Sequence, residues 1–167
     1  KTIIKAKKSR DHTENIFKYL GIPIIIKRNK NGDKIIIKGQ KFFKSFKYTI
    51  PSDPSSCAFF IVLALLSKNC ELKIKNVNVN QSRTGYIKIL NKMGAKIKIK
   101  NVKIRYGEKQ ADIIVKSQPV LKKINCPPSL NSNLIDEFLI IFLAAAKAEG
   151  VSSFSNLGEL NKKESPR

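Results

Sequence analysis

Residues 9–27, SRDHTENIFKYLGIPIIIK, align without a gap on residues 82–100, SRTGYIKILNKMGAKIKIK. This repeat constrains the fold more than any other feature, because like units at a fixed interval stack to bury one another's apolar faces. Ile16, Phe17 and Leu20 recur as Ile89, Leu90 and Met93, one face of a helix in each copy. Gly21 and Gly94 stand where such helices stop in the left-handed region. Ile24 and Ile26, matched by Ile97 and Ile99, then alternate as a strand does. Asp11 is placed to cap the first helix, with Glu14 three residues on as its capping-box partner. That leaves Ser9 and Arg10 unexplained. They precede a helix start whose free N–H groups attract anions, so this pair is expected to bind one.

A weaker repeat pairs residues 58–77, AFFIVLALLSKNCELKIKNV, with residues 137–157, EFLIIFLAAAKAEGVSSFSNL. Both are apolar helices running into a short strand. Together the repeats predict an α+β chain of β-α-β-α-β-β units, complete once and truncated on either side. Helices over 58–66 and 138–146 are apolar almost all round, which predicts inner helices enclosed by sheet. If they lie parallel, their N-termini converge on an electropositive floor. The residues at those starts are Ser9 and Arg10, 53–56, 82–84 and 133–136.

The formal charge of +21 invites a nucleic-acid reading. Arginine, however, occurs only at positions 10, 28, 83, 105 and 167, and the lysines alternate along strands without interleaved aromatics. Such lysines read as solvated outer faces rather than a stacking platform. Cys57, Cys70 and Cys126 lack metal-binding spacing and are odd in number, so each reads as a small apolar filler in a reducing compartment, here the cytoplasm. No apolar run is long enough to span a bilayer.

Seven strings in order then carry a resemblance: SRDHTE, SDPSSCAFF, NQSRTG, KMGAKI, NLIDEF, AAAKAEG and ELNKKESPR. They resemble, at matching spacing and over the whole chain, the 5-enolpyruvylshikimate-3-phosphate synthase family. The resemblance implies the enolpyruvyl transferase fold, an inside-out α/β barrel in two domains of three units each, incomplete here. It implies transfer of the enolpyruvyl group of phosphoenolpyruvate to the 5-hydroxyl of shikimate 3-phosphate, with release of phosphate. On this match residues 1–48 end the first domain and 49–167 form part of the second. The chain is then an internal portion, inactive alone, of an enzyme that is a monomer at full length and needs no metal or organic cofactor.

Carried over position by position, Arg10 contacts shikimate 3-phosphate and Ser9 adjoins it as a hydroxyl donor. Asp136 faces the substrate hydroxyls as a proton acceptor, and it reads equally as a helix cap. Glu164 is a second carboxylate for proton transfer, while Lys163 and Arg167 hold the phosphate and carboxylate charges. Asp53, Ser55, Ser56, Arg83, Thr84 and Gly85 read as structural, with Thr84 a cap and Gly85 a close-packing position. The chain departs from the family at Ser52 (usually Gly), Leu139 (usually Pro), Asn161 (commonly Arg) and Pro166 (usually Asp). Pro166 biases Ser165 away from helix. Two other readings compete. One is the related UDP-N-acetylglucosamine enolpyruvyl transferase; the other is a basic RNA-binding module of similar units, whose affinity would fall steeply with salt.

Overall fold

The computed structural model describes residues 1–7, 9–39, 42 and 45–162. Strand β1 (Thr2–Ala6), helix α1 (His12–Tyr19) and the hairpin β2 (Ile24–Asn29) and β3 (Gly32–Ile37) form the first unit, with strand order β1-β3-β2. Helix α2 (Pro54–Leu66) is followed by β4 (Glu71–Asn78), helix α3 (Gly85–Lys92) and the hairpin β5 (Ile97–Arg105) and β6 (Glu108–Lys116). These strands repeat the same arrangement, ordered β4-β6-β5. Every pairing in both sheets is antiparallel. Before α2 the expected first strand of the middle β-α-β-α-β-β unit is reduced to a single parallel bridge from Ser52 to Val77, and the other five elements of that unit form as expected. β1 lies upstream of the aligned repeat and extends the first unit by one strand.

The third unit is thinner than its sequence promised. Helix α4 (Phe138–Ala146) forms, but the strand expected after it is reduced to parallel bridges at Glu149 and Ser153. Gly150, Ser152 and Ser153 bring little side-chain packing to a pleated surface.

The helix starts differ in how they are satisfied. α2 is capped as read: Asp53 accepts from the Ser56 amide at 2.8 Å, and Pro54 opens the helix. The capping box at α1 is absent. Asp11 occupies the cap position, but its carboxylate bonds the Asn15 and Asn80 side chains and lies 3.5 Å from Arg28, so side-chain donors take the place of the local amides. Thr84 likewise sits at the α3 cap position but donates its hydroxyl to the Asn80 carbonyl. Gly85 does pack closely, since a Cβ there would lie 2.9 Å from the Asn133 carbonyl oxygen.

The core gathers Ile61 and Leu65 of α2, Ile89 and Leu90 of α3, Ile141 and Ala144 of α4, and Ile113 and Val115 of β6. The two inner helices are covered on one side only among the described residues. Phe59, Phe60 and Leu63 of α2 remain 53–64% exposed, and Leu139 and Leu143 of α4 are half-exposed. The full enclosure expected from their sequences needs more units than the described residues supply. Cys57 and Cys126 are buried fillers, as read, while Cys70 is only half-buried. Lys27, Lys98 and Lys100 lie on exposed strand faces. No helix among the described residues is long and apolar enough to cross a membrane.

Two bulges shape the second sheet. The register shifts between Ile74 and Val77 against β6, and between Lys100 and Lys103 against β6. Asn76 and Asn101 take the left-handed region there, at φ 52° and 54°, which asparagine tolerates better than most residues. Asp112 of β6 ties both, accepting from the Asn101 amide at 2.9 Å and the Asn76 backbone at 3.2 Å. Those bonds, with Lys73 nearby, hold its carboxyl down at about 2 against partial burial.

Candidate active site

Arg10 stands in the turn between β1 and α1; Asp136 stands just before α4, whose cap position falls on Glu137. Though 126 residues apart, they form a side-chain pair, Arg10 Nη2 donating to Asp136 Oδ2. Both remain partly open to solvent, at 38% and 29%. An arginine fork suits phosphate or carboxylate, and a carboxylate beside it suits a hydroxyl proton. Asp136 also lines a cleft of about 410 Å³ with Ser55, Ser56, Phe59, Phe60 and Leu139. Ser9 is exposed and borders a separate polar cleft of about 460 Å³ with Arg28, Ser82, Lys88 and Asn133. Lys163, Glu164, Pro166 and Arg167 lie outside the described residues.

The helix starts converge behind this pair. Ser55, in the first turn of α2, donates to Glu137 Oε1 at 2.5 Å. Arg83, before α3, donates to Ser55 Oγ at 2.7 Å and to Asp53 at 2.9 Å. Burial works against the Asp53 carboxylate, but the Ser56 amide and hydroxyl, with Arg83, hold its pKa below the ordinary value. Burial, aided by the Asp53 charge, pushes the Cys57 thiol up to about 11 and leaves it unreactive. Burial likewise raises the Tyr86 phenol. Glu137 is 1% exposed, and burial raises its proton affinity above that of an ordinary glutamate.

A second polar cluster joins the first unit to the second. Glu108 is 4% exposed and accepts from His12 Nδ1 at 2.8 Å, Asn15 at 3.1 Å, and Asn78 and Asn80 at 3.3 Å each. The β5–β6 turn presses directly on α1. Gly107, at φ +79°, has no room for a Cβ, which would lie 2.6 Å from the Asn15 carbonyl oxygen. His12 is thereby committed to a structural contact across the molecule.

Sequence reasoning singled out Arg10 and Asp136 but did not anticipate that they touch. It also left Ser55 and Arg83 as structural and gave Glu137 no role. The available signal was two consecutive acids ahead of a uniformly apolar helix, where one cap would suffice.

The model of the family described as EPSP synthase (3-phosphoshikimate 1-carboxyvinyltransferase) matches residues 1–167. A 3-phosphoshikimate 1-carboxyvinyltransferase of Thermodesulfovibrio yellowstonii is 43% identical over 166 residues, covering 99% of this chain and 38% of that protein. One from Zymomonas mobilis is 39% identical, covering 99% of this chain and 36% of the relative. The solved EPSP synthase of Acinetobacter baumannii superposes with a TM-score of 0.84 at 35% identity, covering 98% of this chain and 37% of that one. The chain therefore spans well under half the length of the relatives it matches.

Proposed function

The chain belongs to the EPSP synthase family, and from that premise we propose that it supplies part of an enolpyruvyl transferase acting on shikimate 3-phosphate and phosphoenolpyruvate. The observation that carries this reading is the Arg10–Asp136 pair at the converging helix starts. In the reaction the 5-hydroxyl oxygen adds to the substituted carbon of phosphoenolpyruvate while a proton reaches its methylene carbon. Elimination then removes a proton from that carbon and expels phosphate, restoring the double bond. Asp136 takes the hydroxyl proton, and Arg10, turning from Asp136, holds the anionic group of shikimate 3-phosphate with Ser9 beside it. On the family match Glu164 is a second proton-transfer carboxylate, and Lys163 and Arg167 are two further anion ligands. Residues 1–48 and 49–167 fall in different domains on this reading. In support, each sheet draws its strands from one side of that boundary.

The test replaces the matching segment of the Thermodesulfovibrio yellowstonii relative with residues 1–167. The folded hybrid is expected to release phosphate only when both substrates are present, whereas the 167-residue chain alone releases none. A folded hybrid that is silent, or that uses UDP-N-acetylglucosamine in place of shikimate 3-phosphate, refutes the reading.

A further inference from the structure

We propose that Ser55 and Glu137 form a positioning bridge that fixes Asp136 opposite Arg10, with Arg83 completing it from a third helix start. The proposal rests on the enolpyruvyl-transfer reading above. Glu137 directly follows Asp136, so holding its side chain fixes the backbone that carries the proton acceptor. The bridge runs from Glu137 Oε1 to Ser55 Oγ at 2.5 Å, then to Arg83 Nη2 at 2.7 Å, which also reaches Asp53. It thus locks the starts of α2, α3 and α4 to one another.

Stability alone does not call for an acid at this depth. An apolar side chain of similar size would fill the space without the desolvation cost. The acid specifies where α4 begins. Burial favours its neutral form and so does the charge of Asp136, while the Ser55 bond, Arg83 and Arg10 oppose that. The buried Tyr86 phenol, whose oxygen has no hydrogen-bond partner among the described residues, also faces the cluster. Glu137 accepts the hydrogen bond of the Ser55 hydroxyl at Oε1. Glutamine has the same oxygen available.

In the hybrid enzyme, E137A is expected to lower kcat about tenfold or more while the shikimate 3-phosphate KM stays within about threefold, the mark of an interaction needed in the transition state. E137Q restores most of that rate. S55A behaves like E137A, and the double variant is no slower than the slower single, because the two act as one unit. Parent-level kcat in E137A, or E137Q as slow as E137A, overturns the bridge.

If the parent hybrid folds but turns over nothing, the enzymatic reading has failed, and carboxyl NMR of Asp136 still tests the bridge. E137A should shift the Asp136 carboxyl resonance at fixed pH, because its position against Arg10 is no longer held; E137Q should leave it in place. An Asp136 carboxyl resonance unmoved by E137A overturns the proposal without reference to catalysis.

Discussion

Glu108→Ala removes the one acceptor that four side chains share. In the native molecule the carboxylate is 4% exposed and takes bonds from His12, Asn15, Asn78 and Asn80. After truncation Asn80 keeps Asp11 at 2.7 Å, while His12 and Asn15 are partly exposed and can turn to water. The Asn78 amide is 7% exposed and loses its carboxylate partner. A buried donor left unsatisfied costs about 1–3 kcal/mol, and the weakened contacts of the others bring the expected loss to about 2–4 kcal/mol. That is a large share of the roughly 5–15 kcal/mol by which domains are stable. Urea unfolding of the hybrid enzyme measures it, and amide exchange should show α1 losing protection ahead of β4–β6–β5. A loss below about 1 kcal/mol, with α1 still protected, would refute the claim that this carboxylate binds the two units together.

Two further outcomes follow from other sites. The Asp112 carboxyl, held near 2 by Asn101, Asn76 and Lys73 against an ordinary 3.8, contributes stability that is complete above about pH 4 and is lost as pH falls toward 2. Acid titration should therefore destabilise the parent across that window more than Asp112→Asn; equal acid profiles would exclude Asp112 as the bulge anchor. Arg10→Ala should weaken shikimate 3-phosphate by about 1.5–3 kcal/mol, the range for a hydrogen bond to a charged group, and phosphoenolpyruvate by less. Equal weakening of both in calorimetric titrations would remove the assignment.

Local features were legible in the sequence where chemistry and position coincided. Gly21 and Gly94 end their helices at φ 70° and 98°, as a repeated αL stop requires. The alternation at Ile24–Asn29 and Ile97–Arg105 forms edge strands of matching sheets. Asp53 caps α2 because Arg83 takes its Oδ1 and leaves Oδ2 to the Ser56 amide. Asp11 and Thr84 carried the same kind of signal and failed as side-chain caps, since Asn80, distant from Asp11 in sequence, engages both. The site divides similarly. Arg10 and Asp136 could be named from their motifs, but their contact spans 126 residues and no local pattern encodes it. Glu137 is decided by burial, which appears only when α2 and α4 pack.

On the proposed mechanism Asp136 moves a proton. Asparagine at 136 keeps the size and leaves an oxygen for Arg10, and the α4 cap position falls on Glu137, so the fold should scarcely respond. Single-turnover kinetics of the Asp136→Asn hybrid should show the chemical step slowed by ~10²–10⁴, the usual contribution of a positioned acid or base, with the Kd for shikimate 3-phosphate moving far less. Turnover at the parent rate by a folded Asp136→Asn hybrid would contradict the account and leave the residue as a structural partner of Arg10.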